Sequence, residues 1–255
     1  MGSLHCLNVG CADASVIISD TATFLVDCYN IGDYSHLLPS TKKIRGVFIT
    51  HQHEDHYSGL RYLRDEGFSI DCLIYSPYDR RRGDNSVTVE EWTEFNALKD
   101  FFAGAGTKLY AQYRQSDWSK PWWDTNGVRF WIIGPHKTTA DSDMRAIHDA
   151  SLVIKAHIGK RACLFAGDAS DACLEYIANN TTKYCGDILH ASHHGSLEGA
   201  HTNFLKKCYA QYTLVSTASG KYENVPHPTA LRRYRENTVH DVWRTDVDGS
   251  CKWTF

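Results

Sequence analysis

Short apolar runs separated by polar turns occupy the first 75 residues, and they predict a series of β-strands. Each run has the length and the β-branched or aromatic content of a strand rather than a helix. The runs lie at residues 4–9, 14–18, 23–28, 47–49 and 72–75. A helix-like spacing follows the fourth run, where Leu60 and Leu63 fall on one side.

The strongest helical periodicity lies at residues 87–103. Apolar side chains recur there at intervals of three and four residues, namely Val89, Trp92, Phe95, Leu98 and Phe102. This spacing places them on one face of a helix, which Gly104 and Gly106 end. The aromatic members are better explained as core residues than as a binding platform.

The rest of the chain continues the order of strands and helices. Strands are predicted at residues 108–113, 128–133, 151–156, 162–166, 188–189, 212–216, 241–245 and 251–255, and helices at 170–179, 202–208 and 228–236. Residues 114–127 are predicted to form a loop, in which Trp118, Trp122 and Trp123 either stack on a base or sugar or fill a gap beneath the loop. No repeat or linker divides the sequence, so we expect two βα halves packed face to face in a single domain of residues 1–255.

The composition is that of a soluble globular protein, with 42% hydrophobic and 22% charged residues in a chain of 255. The net charge of −3 excludes a polycation, so an acidic substrate needs a metal ion or a local field. No run approaches the roughly 18 apolar residues of a membrane span, and the N-terminus lacks a secretory signal pattern. The nine cysteines are odd in number and scattered, so we expect free thiols and a cytoplasmic location.

Four side chains that can bind metal follow the strand predicted at residues 47–49, namely His51, His53, Asp55 and His56. His51 and His53 are two residues apart, so on extended backbone both point to one side. Asp55 and His56 follow after a turn and can face a second position. Imidazole suits zinc and other divalent first-row metals. A polar loop with chance histidines is the alternative, but this density of ligands after an apolar strand favours a metal site.

Three later segments offer further ligands at the ends of predicted elements. Asp168 follows Gly167 at the end of a strand, where a carboxylate can bridge two metals. The pair His193 and His194 follows another strand and offers one ligand and one spare imidazole for acid catalysis or substrate contact. We assign His194 as the ligand and His193 as the spare, and the reverse stays open. His227, between two prolines before a helix, is the last candidate.

The segment Thr50-His51-Gln52-His53-Glu54-Asp55-His56, with Gly59, resembles the first metal motif of the metallo-β-lactamase superfamily. The resemblance implies an α/β fold, the four-layer αβ/βα metallo-β-lactamase sandwich, usually with two metals at one edge. It also implies that Asp168 bridges the metals and that Asp27 supports a ligating histidine without binding metal itself. A plain carboxylate at a strand end is the alternative for Asp27.

Other segments resemble one branch of the superfamily, the hydrolase domain of ComEC-type DNA-uptake proteins. They are residues 7–10 with Asp13, 25–27, 150–154, 164–168, 192–196, 227–228 and 245–246 with Gly249. That domain is thought to act as a metal-dependent nuclease. The chain departs from the branch at residues 11–13, where Gln-Gly-Asp is usual, and at 27–29, where Asp-Thr-Gly is usual. No membrane channel is present, so we expect a free-standing relative, to which the role in DNA uptake does not carry over.

Together these observations predict a hydrolase with two metal ions. The predicted ligands are His51, His53 and His194 for the first ion, Asp55, His56 and His227 for the second, and Asp168 for both. His148 stands near the position of a third histidine ligand in other superfamily members, so it competes with His194 for the first ion. The histidines favour zinc, and the carboxylates also admit manganese.

The predicted activity is that of a phosphodiesterase or nuclease, in which a hydroxide between the two metals attacks and Asp55 and His193 take part in catalysis. The sequence leaves the oligomeric state open, and the expected partner is a nucleic acid or nucleotide rather than a membrane. A lactone, thioester or other carboxylic-ester hydrolase is the enzyme alternative, and it needs little basic lining. A metal-binding interaction module is the alternative without enzyme activity.

Overall fold

The computed structural model describes residues 2–142 and 146–255. The strands of the first half are β1 Ser3–Cys6, β2 Ala14–Ile18, β3 Thr23–Cys28, β4 Lys43–Ile49, β5 Ser69–Tyr75, β6 Lys108–Ala111 and β7 Trp123–Thr125. Those of the second half are β8 Val128–Gly134, β9 Val153–Ile158, β10 Arg161–Phe165, β11 Ile188–His190, β12 Ala210–Val215, β13 Thr238–Arg244 and β14 Cys251–Thr254. The helices are α1 Glu54–Tyr57, α2 Gly59–Asp65, α3 Val89–Gly104, α4 Lys137–Ala140, α5 Asp171–Asn180, α6 Thr202–Cys208, α7 Pro228–Glu236 and α8 Thr245–Asp248.

The strands form two mixed sheets. The order is β14-β1-β2-β3-β4-β5-β6 in the first sheet and β13-β12-β11-β10-β9-β8-β7 in the second. The run from β14 to β3 is antiparallel, and the run from β3 to β6 is parallel. The second sheet likewise joins an antiparallel run, β7 to β10, to a parallel run, β10 to β13. Parallel strands end side by side, so the loops after β3 and β4, and those after β10 and β11, are neighbours.

Apolar side chains from the facing sides of both sheets form a central core. The rings of Phe48 and Phe130, one from each sheet, lie 4.7 Å apart between centroids. On the outer face of the first sheet, α1 to α3 bury a second apolar cluster, which includes Leu60 and Leu98. On the outer face of the second sheet, α5 to α7 bury a third, which includes Leu174 and Tyr234. The result is the four-layer αβ/βα sandwich that the sequence predicts.

Helix α3 confirms the strongest periodicity of the sequence. Its buried face consists of Phe95, Leu98 and Phe102. Val89, which the spacing assigned to that face, is exposed because it is the first residue of the helix. The Thr88 hydroxyl accepts a hydrogen bond from the Glu91 N–H, and the Glu91 carboxylate accepts one from the Thr88 N–H, which makes a capping box.

The region 114–127, predicted as a loop, contains a strand that the prediction missed. Strand β7 begins at Trp123 and pairs with β8 across a turn at residues 126–127. Both turn residues have positive φ, 52° and 77°, which Asn and Gly tolerate in the tight turn of a hairpin. Trp122 and Trp123 pack against the central core, and Trp118 packs against the cluster under α5 to α7. The three indoles therefore contribute to packing, as in the second of the two alternatives.

The cysteines divide into seven free buried thiols and one disulfide, Cys185–Cys208. The expectation of free thiols is therefore wrong for this pair, because the fold brings the segment before β11 against the end of α6. The Cα atoms of the two residues lie 4.9 Å apart although 23 positions separate them in the sequence.

In the ranges that the structure describes, each helix is too short or too polar to cross a membrane. Both sheets contribute to one central core. The division of the chain into a single domain of residues 1–255 stays a prediction.

Candidate metal centre

Loops at one edge of the sandwich bring most of the predicted ligands together. The loop after β4 and helix α1 supply one part of the cluster, and the loops before β9, after β10 and after β11 supply the other. The ligand atoms that meet there include those of Asp13, His51, His53, Asp55, His56, His148, Asp168, His193 and His194.

Asp168 is the residue that the other ligands share. It is buried, with 3% of its surface exposed. Its Oδ2 lies 3.7 Å from His51 Nε2 and 3.6 Å from His194 Nε2, and its Oδ1 lies 3.5 Å from His56 Nε2. A carboxylate that faces histidines through both oxygens has the geometry that a bridging ligand requires.

The remaining ligand atoms form two groups beside Asp168. One group is His51, His53 and His148, and the other is Asp55, His56 and His194, with the atoms of each group within 4.8 Å of one another. The predicted division, which placed His194 in the first group, differs from these distances. His194 Nε2 lies 3.4 Å from Asp55 Oδ2, and His148 takes the place beside His51 and His53. The sequence had left His148 as the competitor of His194 for this place.

His227 has a different environment. Its Nδ1 accepts a hydrogen bond of 3.1 Å from the Thr229 N–H and caps α7. Its own N–H donates to the Gly195 carbonyl at 2.8 Å. In the described part of the chain, the cavity above the cluster is lined by other residues and not by His227. Its assignment as a metal ligand stays a prediction.

Hydrogen bonds from the Nδ1 atoms of His56 and His194 fix the orientation of these two imidazoles. His56 Nδ1 donates to Asp27 Oδ2 at 2.9 Å, so its Nε2 faces Asp168. The same carboxylate accepts two bonds of 2.7 Å from the Thr50 N–H and hydroxyl. His194 Nδ1 donates to the Ser216 carbonyl at 3.1 Å, which leaves its Nε2 for the cluster. Such contacts select the coordinating nitrogen of each imidazole.

Left-handed backbone brings these side chains close together. A Cβ at Gly167, where φ is 50°, would lie 2.6 Å from Ser151 Oγ and from Thr50 Cβ, so only glycine lets this turn approach β4. His193 and His194 both have φ of 52°, a conformation that residues other than glycine seldom adopt. Strain of this kind is concentrated at functional sites, where the surrounding structure maintains it.

Burial and the mixture of carboxylates with imidazoles determine the electrostatics. Burial disfavours the charged form of His194, but the carboxylates of Asp168, Asp13 and Asp55 together outweigh it and raise the pKa of His194 to about 9. Burial alone would raise the pKa of Asp55, but the nearby imidazoles of His56 and His194 lower it to about 2. Burial lowers the pKa of His148 to about 4, against the attraction of Asp168. Protons on buried histidines thus balance the buried carboxylates, a role that a divalent cation takes over when it binds.

Buried atoms without hydrogen-bond partners indicate what the cluster can hold. Within the described residues these include Nε2 of His56, His148 and His194 and Oδ1 of Asp168. A buried polar atom without a partner costs about 1–3 kcal/mol, so such atoms are rare unless a ligand satisfies them. All four face the same small space, and imidazole nitrogens with a carboxylate are a donor set that zinc and related divalent ions accept.

Comparison with known proteins agrees with this geometry. Residues 9–75, which contain the first four ligands, match the family model described as Metallo-beta-lactamase superfamily. The structure of YhfI from Bacillus subtilis, described as a metallo-beta-lactamase fold protein, aligns with 98% of this chain and 100% of its own, at 12% identity and a TM-score of 0.60. The chain has the metallo-β-lactamase fold. The fold predicted from the sequence is thereby confirmed.

Two further structures show how varied the chemistry of metallo-β-lactamase-fold proteins is. CmlA from Streptomyces venezuelae, described as a diiron β-hydroxylase, matches 99% of this chain at 11% identity and a TM-score of 0.62, but the match spans only 54% of CmlA. A diphosphatase of the PhnP family matches 100% of this chain and 98% of its own at 15% identity and a TM-score of 0.53. At these identities the likeness shows the fold alone, and the predicted ComEC-like branch is not shown.

A cavity of about 350 Å³ opens above the ligands of this metallo-β-lactamase-fold protein. Beside the ligands it is lined by Cys11, by Ser86 and Glu91, near the start of α3, and by Tyr222 and Val225, on the loop between β12 and α7. No sequence motif had assigned these residues to the site. The spacing Thr88-x-x-Glu91 is a capping-box signal that could have located Glu91. Tyr222 has no local signal of this kind.

Proposed function

We propose that this metallo-β-lactamase-fold protein is a metal-dependent hydrolase with two metal ions and that it cleaves phosphodiesters. The observation that carries the proposal is the pair of three-residue ligand groups that share Asp168. When bound, two divalent ions would supply Lewis acidity and activate water for attack on the ester.

The chain's own residues would hold the two ions. His51, His53 and His148 are the proposed ligands of one ion, Asp55, His56 and His194 those of the other, and Asp168 would serve both. His227 stays a further candidate. We propose zinc, because histidine nitrogens predominate, and manganese as the ion that the carboxylates also admit.

His193 is the residue that we propose for proton transfer. It lines the cavity, and 23% of its side chain is exposed. Its Nε2 lies 3.9 Å from Asp168 Oδ2, and its Nδ1 has no hydrogen-bond partner in the described part of the chain. An imidazole in this position can protonate the leaving oxygen.

The choice of a phosphodiester has two further supports. The PhnP-family protein with this fold is described as a diphosphatase. The motifs at residues 164–168 and 192–196 resemble those of the nuclease-like ComEC branch. Two divalent ions neutralise much of the charge of a phosphodiester, so the net charge of −3 does not oppose binding.

A neutral carboxylic ester, such as a lactone or thioester, is the second candidate. The observation in its favour is the cavity lining, which contains no Lys or Arg among the residues that the structure describes. A neutral ester carries no negative charge, so its binding does not require Lys or Arg in the cavity lining.

A cytoplasmic location belongs to the same proposal. The seven free cysteines support it, because reducing compartments preserve thiols. The Cys185–Cys208 disulfide argues in the opposite direction.

The deciding experiment measures turnover of bis(p-nitrophenyl) phosphate by protein loaded with zinc or manganese. We expect Asp55→Ala and His194→Ala to lower turnover by at least about 100-fold, because each removes a proposed ligand. His36→Ala, which changes an exposed histidine away from the centre, should keep wild-type turnover.

Parallel assays with p-nitrophenyl acetate and a γ-lactone separate the candidates. Hydrolysis of these esters without hydrolysis of the diester would favour the second candidate. No turnover of any ester by protein that holds two ions per chain would contradict a hydrolase and favour a metal-binding module. Fewer than about one ion per chain would contradict the metal centre itself.

A further inference from the structure

The loop between β12 and α7 places an exposed aromatic ring at the candidate metal centre. Tyr222 is 51% exposed and lines the cavity above the ligands. The described parts of the chain contain eight large hydrophobic side chains that are exposed, and Tyr222 alone among them lines this cavity. Exposed aromatic surface beside a cavity is typical of a ligand contact.

Hydrogen bonds fasten the base of this loop to the end of β13 and the start of α8. The Thr217 N–H donates to Thr245 Oγ1 at 2.9 Å. The N–H and hydroxyl of Ser219 donate to Asp246 Oδ2 at 3.0 and 2.6 Å. Arg244 holds Asp246 through both of its oxygens, at 3.1 and 2.8 Å. The segment 245–246, which the sequence singled out without a role, therefore secures the loop that carries Tyr222.

Two tight turns define the position of Tyr222 within the loop. The Lys221 N–H donates to the Ala218 carbonyl at 3.3 Å, and the Val225 N–H donates to the Tyr222 carbonyl at 3.4 Å. Asn224 has φ of 60°, as the second turn requires. A ring on such a preorganised loop loses little conformational freedom when a ligand packs against it.

The charge around the ring complements a phosphoester. The Lys221 ammonium lies 5.5 Å from the centroid of the Tyr222 ring. The titratable groups that line the nearby cavity are carboxylates, histidines and one cysteine. Lys221 thus adds positive charge next to a lining that has none of its own from Lys or Arg in the described residues.

We propose that Tyr222 is a stacking platform for the base of a nucleotide-type phosphodiester. This inference rests on the proposed function and deepens it, because it names the substrate class. If the ions hold the phosphate, then the group beyond the phosphorus needs its own contact. Every nucleobase presents a flat π-face, so an aromatic platform binds bases with little dependence on sequence.

The test compares the binding of three phosphomonoesters to zinc-loaded protein by titration calorimetry. The first ligand, thymidine 5′-monophosphate, carries a base. The second, methyl phosphate, carries only a methyl group, and the third, n-butyl phosphate, carries an apolar chain. We expect the wild type to bind the nucleotide at least about fivefold more tightly than methyl phosphate, the lower end of base–aromatic stacking. Tyr222→Ala should remove this preference, and Tyr222→Phe should keep it. Tyr209→Ala, which changes a tyrosine that is 57% exposed and away from the cavity, is the matched control.

Three results would overturn the platform. The first is a wild-type protein that binds the nucleotide no better than methyl phosphate, and the second is a preference that survives in Tyr222→Ala. The third is an equal loss of affinity for n-butyl phosphate in Tyr222→Ala, because that would show a general apolar contact. The titration measures binding and needs no turnover. It therefore tests whether Tyr222 contacts the base even where the diester assay contradicts the proposed function.

Discussion

At the scale of single residues, the candidate centre depends on hydrogen-bonding groups that do not face the cavity. Asp27 accepts hydrogen bonds from His56 and from two donors of Thr50. The backbone carbonyl of Ser216 likewise accepts a hydrogen bond from His194 Nδ1. These contacts determine which nitrogen of each imidazole faces Asp168, and so they define the donor set that a metal ion meets.

Asp27→Asn tests this dependence. The amide keeps the size of the carboxylate but offers one acceptor oxygen in place of two, so His56 loses its charged partner. We expect zinc affinity to fall by about 10–100-fold, measured by competition with a chelating dye. Asp124→Asn, an exposed change of the same type, is the control and should leave the affinity unchanged. Equal affinities for wild type and Asp27→Asn would contradict the orienting role.

His157 makes the stability of the fold sensitive to acid. Its ring lies 4.7 Å from that of Trp131, and burial, with Lys155 and Arg129 nearby, lowers its pKa to about 4. The unfolded chain binds this proton near its ordinary pKa of about 6.5, so the free energy of unfolding falls as the pH drops between these values.

Urea unfolding of wild type and His157→Gln at about pH 7.5 and about pH 4.5 measures this effect. The urea midpoint of the wild type should fall more on acidification than that of the variant, since the variant lacks the titrating group. An identical fall in both proteins would show that His157 titrates normally in the native state.

The close spacing of residues 51–56 along the sequence made this part of the centre predictable. The run His51, His53, Asp55 and His56 indicates metal by itself, because all four side chains lie in one turn after a strand. The position of His148 beside His51 could not be predicted in this way, since it depends on how the loop before β9 meets the loop after β4. The contact of Tyr222 with the cavity depends in the same way on packing between distant segments.

At the scale of elements, the apolar pattern predicted most strands and helices because each element buries one face. Strand β7 is one exception, and the short helices α4 and α8 are others. The three residues of β7, Trp123–Thr125, are too few for an alternating pattern, and neighbouring Pro, Asp and Asn residues favoured a loop. The Asn126-Gly127 pair was the available hairpin signal.

Two neighbouring phenylalanines of α3 test how much its buried face contributes. Phe102 is 1% exposed and packs under the first sheet, whereas Phe101 is 49% exposed. Phe102→Ala should lower the free energy of unfolding by about 3–5 kcal/mol through lost burial and the cavity left behind. Phe101→Ala should change it by less than about 0.5 kcal/mol in the same urea titration. Similar losses for both variants would contradict the assigned orientation of the helix.

At the scale of the whole molecule, the candidate centre joins the two halves of the sandwich. The loop after β4 belongs to the first sheet, and the loops after β10 and β11 belong to the second. Each proposed ion would take ligands from loops of both sheets, so it would bind the folded chain and not the unfolded one. Metal binding would therefore add to the stability of the native state by mass action.

Metal removal measures this contribution. At a free zinc concentration about 100-fold above Kd, the ion should stabilise the fold by about 2.7 kcal/mol. For a chain of this size that corresponds to a loss of about 5–10 °C in Tm when a chelator removes the ion. Asp168→Asn lacks the shared carboxylate and should show a much smaller shift. A wild-type Tm that does not respond to chelator or to added zinc would contradict the centre.

The wide separation of the ligands along the chain has a kinetic consequence. Residues 51–56 and residue 194 meet only after the two sheets have packed on each other, so an ion finds its full set of donors late in folding. Its contacts are then absent from the transition state, and the energy that they add lowers the rate of unfolding without raising the rate of folding. A newly made chain would fold equally fast with or without metal, and the ion would extend the lifetime of the folded protein.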